Sequence, residues 1–164
     1  MSIAEKRIEM NKSKVWFITL VIVLLFVMVT PGAAAQQLLN VNIKVETHFY
    51  PTGNSGPFIA SGPAVDAGLI CPTGIATDIY LKGEGLQSGI GGTYLVFKQF
   101  VCDNGTGTFT MKLVARTDFR GDNAHWNISS GTETYENLIG AGKDVGVYFP
   151  DYSGVTDYFS GMVH

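Results

Sequence analysis

The chain has 164 residues with 11 Lys plus Arg against 14 Asp plus Glu, a formal net charge of −3. Its basic residues stand singly, without the Lys or Arg clusters that a nucleic acid or an anionic membrane surface demands, so neither is an expected partner on charge grounds. The length suits one domain plus an export segment.

Residues 1–14 carry Lys6, Arg7, Lys12 and Lys14 against Glu5 and Glu9, and Val15 to Val29 is apolar apart from Thr19. Pro31-Gly32 breaks the run, and Ala33-Ala34-Ala35 puts small side chains where a signal peptidase reads, just before Gln36. The pattern predicts an N-terminal hydrophobic helix that serves as a cleavable signal peptide over residues 1–35. The domain then occupies residues 36–164, and the protein is secreted, periplasmic or on the cell surface. The alternative is an uncleaved anchor over residues 15–29, which would bring the domain to a membrane through that segment alone. Residues 36–164 hold seven Lys plus Arg against twelve Asp plus Glu, a mildly acidic balance. Cys71 and Cys102 both fall in the exported part, where disulfides persist, and no His, Lys or Arg adjoins either to activate a thiol. They are expected to pair, with a chain-entropy stabilisation of about 3 to 4 kcal/mol.

From Gln37 to Phe49 the residues Leu39, Val41, Ile43, Val45, Thr47 and Phe49 alternate with polar neighbours, the period of a half-buried strand. His48 belongs to the polar, solvent-facing row. Residues 50–74 are rich in Pro and Gly and read as a long connection, pinned at its end by Cys71 and contributing a strand at most around Phe58 to Ser61. Ile75, Thr77, Ile79 and Leu81 alternate with Ala76, Asp78, Tyr80 and Lys82 in a second strand. The link Gly83 to Gly92 lacks the Gly-Lys-Ser/Thr ending of a phosphate loop, so its glycines serve turns. Thr93 to Val101 is apolar on both faces apart from Lys98 and Gln99. Asn104-Gly105 is a hairpin signal. Its partner strand, Thr108 to Phe119, places Phe109, Met111, Leu113 and Ala115 on one face. Arg120-Gly121-Asp122 lies in a charged, glycine-bearing stretch from Phe119 to Ala124 that reads as a solvated turn.

His125 to Ser130 and Ile139 to Phe149 are strands flanking a turn, and Val155 to Val163 alternates as a last strand that would pair with an earlier one. No 3.6-residue periodicity appears after the hydrophobic segment. The expected fold is all-β, a single small closed antiparallel barrel of about seven or eight strands, in which closure removes exposed edges.

The stretch Gly131-Thr132-x-x-Tyr135-x-x-Leu138-x-Gly140-x-Gly142 combines a tight turn, a tucked aromatic and a Gly-x-Gly strand. It resembles the strand-turn-strand signature of the allene oxide cyclase and dirigent-like barrel group, including its secreted bacterial members. The resemblance implies a small barrel with an apolar lumen that positions a reactive intermediate through a few polar groups. The family's polar lumen residues do not map onto positions here. In a lumen of this kind the polar candidates are those that break an otherwise apolar face: Gln99, Thr117 and Asp157.

Other chemistry finds little support. The three histidines are dispersed and no Cys-x-x-Cys or His-x-x-x-His spacing exists, so no metal or cofactor is expected. There is no Gly-x-Ser-x-Gly elbow, and Trp126 is the one Trp beyond the hydrophobic segment. Asn104-Gly105-Thr106 and Asn127-Ile128-Ser129 are sequons that matter only in a eukaryotic secretory pathway. The leading expectation is a non-catalytic barrel that binds a small apolar ligand or acts as a structural or interaction module. The alternative is a cofactor-free isomerase or cyclase resembling allene oxide cyclase.

Overall fold

A computed structural model describes residues 37–84 and 91–164. The hydrophobic segment and the signal peptide or anchor expected there lie outside the described residues, as does most of the glycine-rich link after Glu84. Among the described residues no helix is long and apolar enough to cross a membrane.

Eight antiparallel strands close into one barrel, each paired with its sequence neighbours: β1 (Leu39–Tyr50), β2 (Gly53–Ser61), β3 (Thr73–Glu84), β4 (Gly92–Cys102), β5 (Thr108–Thr117), β6 (Gly121–Gly131), β7 (Gly140–Tyr148) and β8 (Gly154–Val163). Closure comes from β1 against β8, in a register that runs from Leu39 opposite Val163 to His48 opposite Gly154. Alternation fixes the faces, since every second side chain of a strand points the same way. Val41, Ile43, Val45 and Thr47 of β1 face inward, as do Phe109, Met111, Leu113, Ala115 and Thr117 of β5.

Three sequence expectations change. Residues 50–74 are a full stave, β2, followed by a one-turn helix α1 (Pro63–Asp66), rather than a long connection. Pro57 obscured it. The β1–β2 ladder has no pair between Val45–Phe58 and His48–Ser55, which is where Pro57 cannot donate, and the strand continues through the gap. In β3 the large residues Ile75 and Ile79 stand outside while Ala76 and Asp78 face the lumen. An irregularity between Asp78 and Tyr80 then reverses the parity, so that Leu81 and Gly83 oppose the inward Val96 and Tyr94. Finally, Gly121 and Asp122 begin β6 instead of forming a solvated turn.

The lumen has two unlike halves. At one end Phe100 stacks on Phe109 with centroids 4.7 Å apart, and Phe58 and Phe159 meet Phe100 edge-on at 5.2 and 6.0 Å. These rings, with Met111 and Ile43, plug that half. Cys71 and Cys102 are bonded there, with Cα atoms 5.9 Å apart, and tie the segment after α1 to the end of β4. Tyr135, in the 3₁₀ turn Glu133–Tyr135, is buried against Phe109, its hydroxyl 2.6 Å from Thr106 Oγ1 and 3.3 Å from Cys102 Sγ.

The Gly-x-Gly strand has a packing role at the same end. Gly142 lies opposite Gly161, and together they leave room for the indole of Trp126, whose Nε1 donates to the Lys143 carbonyl at 3.0 Å. A Cβ on Gly142 would fall 2.7 Å from both the Trp126 ring and Gly161 Cα. Gly142→Ala is therefore expected to cost about 1–3 kcal/mol through overpacking, measured by urea unfolding.

Candidate functional site

The other half of the lumen is open and carries charge. A cavity of about 540 Å³ occupies the barrel end defined by the β1–β2, β5–β6 and β7–β8 connections. Its walls are largely apolar and aromatic, with Val96, Leu113, Ala115 and Val155 below and Phe49, Phe119, Tyr148 and Tyr152 towards the rim. Its floor is a group of ionisable side chains brought together from five strands: Asp78 of β3, Lys98 of β4, Asp122 of β6, Asp144 of β7 and Asp157 of β8.

Lys98 is the centre of that floor. Its parity is that of Val96 and Phe100, so the strand that buries those two also buries the ammonium, which is 4% exposed. Nζ donates to Thr47 Oγ1 at 2.9 Å and lies 3.0 Å from Asp78 Oδ1 and 3.2 Å from Asp157 Oδ2. The Asp78 approach is a charge contact and not an aligned hydrogen bond, because Oδ1 has no hydrogen-bond partner by angle. Asn54 Nδ2 donates to the other Asp78 oxygen at 3.2 Å, and Thr47 Oγ1 donates to Asp157 Oδ2 at 3.3 Å. Burial alone would lower the Lys98 pKa, but the charges of Asp157 and Asp78 outweigh it and the value is raised. A lysine held charged by three oxygens is a structural cation, the opposite of the depressed amine that forms a Schiff base.

One ammonium does not balance four carboxyls. The oxygens of Asp122, Asp144 and Asp157 approach within 4.8 Å of one another. Asp144 is pushed up to about 8, first by burial and then by the charges of Asp157 and Asp122, against the opposing pull of Lys98 and a backbone N–H. Asp122 is pushed up to about 6, by burial and then by Asp157. Asp157 is also raised, by burial, with Lys98 opposing. Asp122 owes its position to Gly146, its cross-strand partner, whose N–H it accepts. A Cβ there would stand 2.6 Å from Asp122 Oδ2. The Oδ1 atoms of Asp122 and Asp144, and the hydroxyl of Tyr94, are shut off from solvent with no partner.

Of the three candidates named from sequence, the structure brings Thr117 and Asp157 into the cavity wall. Gln99 belongs to the outer row of β4, between the inward Lys98 and Phe100, and does not line the cavity. Sequence reasoning passed over Lys98, Asp78, Asp122 and Asp144. For Lys98 the signal was present, since it interrupts the row Tyr94, Val96, Phe100. Asp78 carried no local signal, because the bulkier Ile75 and Ile79 occupy the opposite face of β3. The search for metal ligands by His and Cys spacing could not find a carboxyl group assembled from three strands.

The chain matches no protein-family model, no curated protein and no solved structure in these comparisons.

Two predictions follow from the charge balance. A carboxyl whose pKa is raised on folding binds its proton more tightly in the folded state, so its stabilising effect is complete below the unfolded value and is lost as pH climbs towards the folded one. For Asp144 the window runs from about pH 4 to about pH 8. Stability should decline across it by as much as about 1.4 kcal/mol per pH unit. Asp144→Asn, which keeps the shape of the protonated acid, should flatten this slope and exceed the wild type at pH 8 by on the order of 2 kcal/mol. Urea unfolding from pH 5 to pH 8 measures both, and an unchanged slope would show that Asp144 is ionised throughout. Lys98→Met should cost about 3–5 kcal/mol at pH 8, by stranding Asp78 and Asp157, and less at pH 5 where the acids can take protons.

Proposed function

We propose that this protein is an exported binding barrel for a small, mostly apolar molecule held in the open half of the lumen. The observation that carries the reading is the cavity of about 540 Å³, a volume in the range of small-molecule sites, with apolar walls and a few convergent polar groups at its base. The aromatic plug supports it by filling the lumen beneath the ionic floor, so that the site is preformed. Export is supported by the signal-like residues 1–35 and by the Cys71–Cys102 bond, which suits an oxidising compartment.

The second reading is a cofactor-free isomerase or cyclase of the allene oxide cyclase type. A lumen open at one end with converging polar groups favours it, because carboxyls with pKa values spread apart are the raw material of acid–base work. Binding is common to both readings, so it is tested first. Ala115, small and inward beside Leu113, is the place to fill the cavity. A neutral solvatochromic dye such as Nile red should gain fluorescence with the wild type, and Ala115→Phe should abolish the gain with an unchanged far-ultraviolet circular dichroism spectrum. Equal dye binding by the filled variant would remove the lumen from consideration.

A further inference from the structure

We propose that the lumen site takes an organic cation, with a protonated amine or quaternary ammonium group seated against Asp122 and Asp144 and an apolar body lying against Val96, Leu113 and the aromatic rim. This rests on the reading that the lumen binds a small molecule, and it names the chemistry of that molecule.

The starting point is the accounting of Lys98. Its ammonium has three donors, and three oxygens surround it: Thr47 Oγ1, Asp78 Oδ1 and Asp157 Oδ2. None of these contacts reaches Asp122 or Asp144, and no other base lines the cavity among the described residues. Both of those acids present an Oδ1 that is out of solvent and unpartnered, and Asp144 is only 2% exposed. A buried acceptor left open costs roughly 1–3 kcal/mol, more when it is charged, and one oxygen of Asp122 and one of Asp144 lie within 4.8 Å of each other, within reach of a single donor. The Tyr94 hydroxyl is a separate pointer. It is buried, unpartnered and on the same cavity wall, one more polar group that protein atoms do not satisfy.

The charge and the walls then select the occupant. An anion would add a further negative charge to a floor that already has more carboxyls than ammonium groups. A neutral alcohol could donate to one oxygen but would leave the charge uncompensated. A hard divalent cation wants six or more oxygen ligands, and here it would meet apolar walls and an ammonium already 3.2 Å from Asp157. An organic cation satisfies both halves of the site. Its charge compensates the acids, and its carbon skeleton lies against the apolar walls and the aromatic rim. Tyr148 stands 6.4 Å from Phe49 and 6.1 Å from Tyr152, so the rim offers a run of rings for that skeleton to lie against.

Binding should be linked to protons. The groups that face the seat are Asp78 from β3, Tyr94 and Lys98 from β4, Asp122 from β6, Asp144 and Tyr148 from β7, and Asp157 from β8. Asp118 and Tyr152 stand at the rim. Burial and the neighbouring carboxylates hold the Asp144 proton up to about pH 8, so a cation paired with Asp144 displaces that proton. Affinity for an amine that stays charged throughout should therefore rise from pH 5.5 to pH 8.

The test is isothermal titration of the full chain with three probes that share one apolar body: 4-phenylbutylammonium, 4-phenylbutanol and 4-phenylbutanoate. The ammonium is expected to bind one per chain at pH 8, about tenfold or more tighter than the alcohol, a gap of about 1.4 kcal/mol, and to weaken at pH 5.5. Asp144→Asn combined with Asp122→Asn should bring the ammonium down to the level of the alcohol. Asp144→Asn alone should narrow the gap, which keeps the test decisive if the double variant does not fold. Alcohol or carboxylate binding as tight as the ammonium overturns the cation assignment and leaves the lumen reading standing. Failure of all three probes overturns the lumen reading and the cation with it. Calcium chloride that binds tightly and expels the ammonium replaces the organic cation with a metal and overturns the proposal.

Discussion

A single buried ammonium decides what the open half of this barrel can be. Lys98 sits where alternation on β4 would otherwise put another apolar side chain. Having entered the lumen, its charge must be matched, because an uncompensated ion in a low-dielectric interior costs several kcal/mol. Thr47, Asp78 and Asp157 come from three other strands to meet it. This network ties β1, β3, β4 and β8 together across the lumen, at the level where the aromatic plug ends. Ion pairs of this kind are weak evidence of stability, since apolar packing of the same volume commonly does as well. The plug at the other end shows that this chain can fill a lumen with rings, so the ionic floor is a departure from its own packing solution.

Closure of the sheet explains why the departure is concentrated in one place. In a barrel every inward position shares the same small volume, and side chains separated by dozens of residues converge there. Asp78 and Asp157 are far apart in sequence, yet both touch one nitrogen. Glycine shapes the space around them. Gly146 leaves room for Asp122, as Gly142 and Gly161 leave room for Trp126 at another level. The same device, a missing Cβ beneath a large or charged neighbour, serves packing in one half and site geometry in the other.

Much of the barrel was legible because alternation survives in β1, β5 and β8, and Asn104-Gly105 marks the β4–β5 hairpin. What failed did so for identifiable physical reasons. Pro57 disguised β2, although the ladder needs to drop only the pairs around it. On β3, hydrophobicity pointed the wrong way: Ile75 and Ile79 lie outside and Asp78 inside, where it meets the charge of Lys98. Asp157 and Thr117 were legible as interruptions of an apolar row. Asp122 and Asp144 were not, since Gly flanks hide the inward parity of the β6 start and of β7. A carboxyl site drawn from separate staves leaves no local spacing to recognise.

The balance of the floor carries the functional argument furthest. Had selection acted on stability alone, one acid beside Lys98 would have sufficed, and Asp144 would be better replaced by an uncharged residue of its shape. Instead, two further acids stand against the same wall of the cavity, each with an oxygen that no protein atom satisfies. Sequences break their own packing rules chiefly where function requires it. Here the breach is confined to the open half of the lumen, it faces empty space of small-molecule size, and aromatic side chains surround it. Those features share one explanation when the missing partner is brought from outside, carrying the positive charge that the floor lacks.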